Sequence, residues 1–274
     1  MRRNFPAVSL CILVFLCGLS AQNSTPPAVP EPLQTAAAPR HYEPPPPNAT
    51  VEELDRRGNE LREEKAYRDA IDYYQAALRK TSERPVQASL YNKIGIADLQ
   101  ILQYGEARKN FDRALKKQKT FADARNNLGV AYFLENQYSR AIAEYRKAIK
   151  LNETEASFYN NLGTAYFASK SIDRAMAAYR RSIELDPDIF HHKSRVGVAA
   201  QLSNPDDRAL FAYMLARTYA QAGDNDQSLE YLRKAMEDGY PGIKNVYKDE
   251  QFSALRKDPR FTALMAAKPK AISE

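Results

Sequence analysis

Residues Asn126 to Phe133 read NNLGVAYF, and residues Asn160 to Phe167 read NNLGTAYF. One eight-residue phrase thus returns after 34 residues with a single letter changed. Self-similarity at such a period constrains the fold strongly, because a short unit cannot bury its apolar face alone and does so by stacking on copies of itself. Aligning on glycine extends the register to Gly58, Gly95, Gly129 and Gly163, with spacings of 37, 34 and 34. The constellation around each glycine also repeats. Leu128-Gly129 is followed by Tyr132, Tyr138, Ala141, Tyr145 and Ala148, and Leu162-Gly163 by Tyr166, Ile172, Ala175, Tyr179 and Ser182. The second unit has Ile94-Gly95, Tyr104, Ala107, Phe111 and Ala114; the first has Gly58, Tyr67, Ala70, Tyr74 and Ala77. From Val51 on, apolar and small residues recur at i, i+3, i+4 and i+7, the period of a helix with one buried face.

The pattern resembles the tetratricopeptide repeat, a helix–turn–helix unit of 34 residues. The resemblance spans about 165 of the 274 residues. It implies an all-α, right-handed superhelical solenoid with a C-terminal helical cap, in which glycine and the later alanine are small because two antiparallel helices cross there. Four units are expected over 51–187, with Pro85 and Pro187 as helix stops. An irregular, extended or hairpin-like connector is expected over 188–208. A fifth unit over 209–236 carries Leu215, Ala216, Tyr219, Ser228, Leu232 and Ala235, with a turn at Gly223-Asp224-Asn225. Two short helices and a tail over 237–274, one opened by Asp258-Pro259, are expected to cap the stack.

The N-terminus does not belong to this body. Arg2 and Arg3 precede an apolar run from Ala7 to Leu19, and small residues at Gly18, Ser20 and Ala21 offer a cleavage site. That is the layout of a bacterial secretory signal over 1–21, since the run falls short of the ~18–20 residues a membrane-spanning helix needs. The chain is therefore expected to be exported, periplasmic or secreted; an uncleaved segment would instead anchor it to the membrane. Residues 22–50 are rich in Pro, Ala and Thr, with Pro44 to Pro47 consecutive, and read as a disordered or polyproline II tether.

Cys11 and Cys17 both lie inside the signal, so cleavage leaves no thiol. The formal charge is +6, and removing Arg2 and Arg3 leaves 38 basic against 34 acidic residues, too small an excess for a nucleic-acid footprint. The basic run Lys116-Lys117-Gln118-Lys119 suits a helix C-terminus. His41, His191 and His192 are the histidines of the chain; His41 sits in the tether, the adjacent His191 and His192 diverge in any regular structure, and no carboxylate stands at ligand spacing from them on a predicted helix. No phosphate-binding glycine loop, G-x-S-x-G or H-E-x-x-H occurs. Neither enzyme activity nor cofactor nor metal is expected.

What remains is a binding surface along the first helix of each unit. With Leu128 and Gly129 committed to packing, the helical period places Asn126, Val130 and Phe133 on the other face, with Asn127 at its edge. Asn160, Asn161, Thr164 and Phe167 take the same places in the next unit, and Asn92, Ile96 and Leu99 in the one before. Amides in a column can donate to and accept from an extended peptide backbone. The column resembles the asparagine ladder in the repeats of O-GlcNAc transferase, which implies a protein or extended peptide as partner. Lys93 and Arg56 stand where the later units have Asn127 and Asn161, and Glu52 and Asp55 put acids where a carboxylate-clamping repeat needs Lys and Asn. The expected function is a non-catalytic interaction scaffold of the cell envelope. The alternative is an assembly component, for example a pilus or outer-membrane accessory, that works by self-association or through convex-surface contacts.

Overall fold

The computed structural model describes residues 43–190 and 204–267. The expected signal, most of the proline-rich stretch, residues 191–203 of the connector and the tail beyond 267 lie outside the described residues. Every described element is helical. Helices pair as hairpins: α1 (Val51–Glu63) with α2 (Tyr67–Lys80), α3 (Arg84–Gln100) with α4 (Tyr104–Lys117), and α5 (Ala122–Leu134) with α6 (Tyr138–Leu151). They continue with α7 (Ala156–Ala168) and α8 (Ile172–Leu185), then α9 (Pro205–Ala222) and α10 (Asn225–Glu237). The second helix of each hairpin packs on the first helix of the next, so the hairpins stack in chain order into a solenoid.

Local chemistry sets the boundaries. Thr50 and Glu53 form a reciprocal capping box that starts α1: the Thr50 amide donates to Glu53 Oε2 at 2.8 Å, and Thr50 Oγ1 accepts from the Glu53 amide at 3.2 Å. Each first helix ends on one left-handed residue, with φ of 63° at Lys65, 62° at Leu102, 60° at Asn136, 60° at Lys170 and 85° at Gly223. The following amide closes back on the last turn, as in Ala66 to Leu61 O and Gln103 to Asp98 O, both at 2.8 Å. Glycine fills this position in the fifth hairpin alone. Pro85 opens α3 instead of closing the first unit, because a residue without an amide hydrogen fits the first turn of a helix, where that hydrogen has no partner.

The small crossing residue is dictated by a ring. A Cβ built on Gly58, Gly95, Gly129 or Gly163 would lie 2.5, 2.5, 2.6 or 2.6 Å from a ring carbon of Tyr74, Phe111, Tyr145 or Tyr179. The fifth hairpin reaches the same packing differently. Ala216 replaces glycine there, and the facing residue is Leu232 instead of an aromatic; both are fully buried.

Two further boundaries differ from the sequence expectation. The fifth hairpin begins at Pro205, inside the span assigned to the connector, because Asn204 accepts from the Asp206 amide at 2.9 Å and Pro205 supplies the first turn. The cap has one regular helix, α11 (Pro259–Ala267), preceded by 3-10 turns at Ile243–Tyr247, Glu250–Phe252 and Leu255–Lys257. Arg256 Nη1 donates to the carbonyls of Val246 at 2.9 Å and Asp249 at 2.7 Å, which ties these turns together where no α-helix satisfies their backbone. Phe252, Leu255, Phe261 and Leu264 cluster with Tyr213 and Leu232, covering the last hairpin.

Candidate functional site

The paired asparagines make bonds between repeats. Asn127 Nδ2 donates to Asn92 Oδ1 at 3.0 Å, and Asn161 Nδ2 donates to Asn126 Oδ1 at 3.0 Å. The donor stands two positions before the crossing glycine, and the acceptor three positions before the glycine of the preceding repeat. The same two positions one repeat earlier hold Lys93 and Asp55, whose Nζ and Oδ1 are 2.6 Å apart. The residue that interrupts the asparagine column in sequence therefore continues the same contact as an ion pair. In the fifth hairpin the donor position is Met214, which has no proton to give, and Asn160 Oδ1 is buried without a hydrogen-bond partner among the described residues.

Most of the expected groove residues are enclosed by these contacts. Asn126, Asn127, Val130, Asn161, Thr164 and Phe167 are at most 5% exposed, and Asn92 is 8% exposed. This differs from the open face expected of Asn126 and Val130. The cause is the neighbouring first helix, which lies close enough to bond the Asn126 and Asn127 amides and so covers this face. Ile96, Phe133 and Asn160 keep partial exposure. Phe167 packs edge-on against Phe211 of α9 at 5.4 Å, and Phe133 lies 5.4 Å from Tyr138.

The one changed letter of the repeated phrase answers to a phenol. Tyr179 OH donates to Thr164 Oγ1 at 3.2 Å, and Thr164 Oγ1 donates to the Asn160 carbonyl at 3.0 Å. In the first hairpin Tyr74 OH donates to Asn59 Oδ1 at 3.0 Å. The second hairpin has Ile96 opposite Phe111, apolar against apolar. In the third, Val130 faces the position of Tyr145, whose hydroxyl is buried without a partner among the described residues. Burial pushes both the Tyr145 and Tyr179 phenols well above their usual range, so they remain neutral.

Models of the tetratricopeptide repeat match residues 131–170, 156–189 and 210–237. The chain carries tetratricopeptide repeats. Among solved structures it is similar to MamA from Desulfovibrio magneticus RS-1, at 16% identity and a TM-score of 0.49, over 73% of this chain and 97% of that one. It is also similar to BtubC from P. vanneervenii, at 20% identity and a TM-score of 0.49, over 69% and 79% of the two chains. A third is YrrB, described as a TPR protein with an unusual peptide-binding site, at 22% identity and a TM-score of 0.45, over 69% and 86%. No curated protein sequence matches the chain.

One tetratricopeptide unit departs from its siblings in a way that sequence reading missed. Three residues after the glycine, the third and fourth repeats have Tyr132 and Tyr166, and the second has Asp98. Tyr132 lies between the guanidinium groups of Arg108 and Arg140, at 5.4 and 5.7 Å, and Arg174 covers Tyr166 at 5.9 Å. Asp98 is too short to fill that space. A cavity of about 520 Å³ opens between α2, α3 and α4, with Asp98 and Asn110 in its lining. Asp98 is 4% exposed, and Asn110 Nδ2 donates to its Oδ2 at 2.8 Å. Burial pushes its carboxyl up to about 6, against the pull of the Asn110 bond. The signal that could have found it is its place in the repeat register, where an acid stands in a column otherwise made of Leu61, Tyr132, Tyr166 and Tyr219.

Proposed function

We propose that the chain is a non-catalytic interaction scaffold of the bacterial cell envelope that holds an extended peptide or partner protein along the first helices α3, α5 and α7. The observation that carries this reading is the chain of inter-repeat bonds from Asp55–Lys93 through Asn92–Asn127 to Asn126–Asn161. These bonds fix neighbouring first helices in one register and so pre-organise whatever side chains remain accessible, which lowers the ordering cost of binding. Ile96 and Phe133 supply half-buried apolar contacts on that framework, and Asn160 a half-buried amide. Asn92, Asn126, Asn127, Val130, Asn161, Thr164 and Phe167 serve the same site as its supporting wall.

The test is affinity capture from envelope extracts with the wild type and with Ile96→Lys/Phe133→Lys, each shown to be folded by its thermal transition. Loss of the captured partner in the variant supports the groove, and equal recovery removes it. Export is tested separately by the mass of the chain recovered from the envelope. A start immediately after Ser20 or Ala21 supports a cleaved signal, and an intact N-terminus in the cytoplasm contradicts export.

A further inference from the structure

The five hairpins act as internal controls for one another, and the second differs at two further positions around Asp98. The left-handed turn residue is Leu102, where the others have Lys65, Asn136, Lys170 and Gly223; Leu102 is 49% exposed, one of three large apolar side chains so open among the described residues. A leucine in the left-handed region costs roughly 1–2 kcal/mol, and its neighbours Ile101 and Gln103 both line the cavity. Asn110, which binds Asp98, stands where the other repeats have Tyr73, Glu144, Ala178 and Tyr231. Three exceptions to the repeat pattern thus meet at one place.

The floor of this cavity is incompletely bonded. Among the described residues Asp98 Oδ2 accepts from Asn110, and Oδ1 has no donor. The other charged groups facing the space are Arg68, Asp72 and Arg79 from α2 and Glu106 and Arg113 from α4. Arg113 is occupied with Asn110 Oδ1 at 3.0 Å and lies 5.9 Å from the ring centre of Tyr91, while Glu106 holds Lys109 at 2.7 Å. None of the cations donates to Asp98 among the described residues. An enclosed carboxylate with an open oxygen is stabilised most by a donor that also brings positive charge.

We propose that this cavity receives a basic side chain, arginine or lysine, from a partner protein, with its cationic head on Asp98 Oδ1 and the partner's adjoining surface on Leu102. The cavity is large enough for such a side chain, and the exposed Leu102, between the lining residues Ile101 and Gln103 in the chain, favours a protein over a small free cation. The cavity shares α3 with the first-helix groove but none of the groove's residues, so each reading is tested by its own substitutions.

The test uses the full chain, isotopically labelled, titrated with N-acetyl-arginine amide and, in parallel, with the neutral citrulline analogue, each followed by backbone amide shifts. The arginine probe is expected to shift residues around Asp98, Gln103 and Asn110, and to bind at least ten-fold more tightly than the citrulline probe. Asp98→Asn keeps an oxygen that can accept from Asn110 but removes the charge, and Asp98→Tyr supplies the filling residue of the third and fourth repeats. Both are expected to weaken the arginine probe at least ten-fold while the thermal transition shows a folded chain. Equal affinity for the two probes, shifts elsewhere in the chain, or retention of binding in Asp98→Asn would overturn the proposal. A failed groove assignment would leave this titration unchanged.

Discussion

Lys93 Nζ lies 2.6 Å from Asp55 Oδ1, in the same inter-repeat position where Asn127 bonds Asn92 and Asn161 bonds Asn126. A charged pair and two amide pairs therefore perform one structural task. The difference between them is solvent: the Lys93 and Asp55 side chains are 21% and 32% exposed, whereas the amide pairs are buried.

That difference sets the order of mutational effects. Asn126→Ala removes the acceptor of a buried amide and is expected to cost ~1–3 kcal/mol. Asp55→Ala breaks a partly solvated ion pair and is expected to cost ~0.2–1 kcal/mol, less at high salt. Urea unfolding at two ionic strengths measures both. A larger loss for Asp55→Ala, or no salt dependence, would contradict the assignment.

The phenol column makes a sharper prediction because it has opposite outcomes in two similar repeats. Tyr179→Phe loses the bond to Thr164 and is expected to cost about 1 kcal/mol. Tyr145→Phe removes a buried hydroxyl that has no partner among the described residues, and is expected to be neutral or stabilising by up to ~1 kcal/mol. Val130→Thr should narrow the contrast by supplying an acceptor. Equal losses for the two Tyr→Phe variants would refute it.

The crossing glycines can be tested against the fifth repeat. Gly129→Ala sets a methyl group 2.6 Å from the Tyr145 ring and is expected to cost ~1–3 kcal/mol. Adding Tyr145→Leu reproduces the Ala216–Leu232 combination and should recover part of that loss. A double variant weaker than the sum of the single ones would show that the Ala–Leu solution does not transfer between repeats.

Asp98 ties stability to pH. Its folded carboxyl is raised from 3.8 to about 6, so between those values the folded state holds more proton than the unfolded chain. Stability therefore falls as pH rises through that window, by an amount on the order of 1–2 kcal/mol. Asp98→Asn should abolish this slope and be the more stable protein at pH 7.5, with the advantage gone near pH 4. Chemical unfolding of both proteins across that range checks the sign. A wild-type chain that gains stability from Asp98 on going from pH 4 to pH 6 would contradict it.

The sequence made the fold legible because the quantity that specifies it, a small residue opposite a ring at a fixed spacing, recurs four times in register and a fifth time with Leu232 in place of the ring. It was less informative about direction. Asn126 and Asn127 were recognisable as a column, but whether an amide meets solvent or the next helix depends on how closely adjacent first helices approach, and no single helix carries that distance. Lys93 looked like a break in the column for the same reason, since Asp55, its partner, lies 38 residues away. Asp98 passed unnoticed because a single acid on a helix is ordinary by itself; its meaning appears only beside Tyr132 and Tyr166. The early start of α9 was readable in Asn204-Pro205, where a capping residue precedes proline, but the apolar periodicity that locates helices begins only at Ala209.

The proposed function requires that the first helices, braced by the inter-repeat bonds, form the face that holds a partner. Hydrogen exchange on the full chain, alone and with the protein it captures from envelope extracts, tests this most directly. Added protection in α3, α5 and α7 is the predicted result, whereas protection confined to α6, α8 or the C-terminal cap would contradict it.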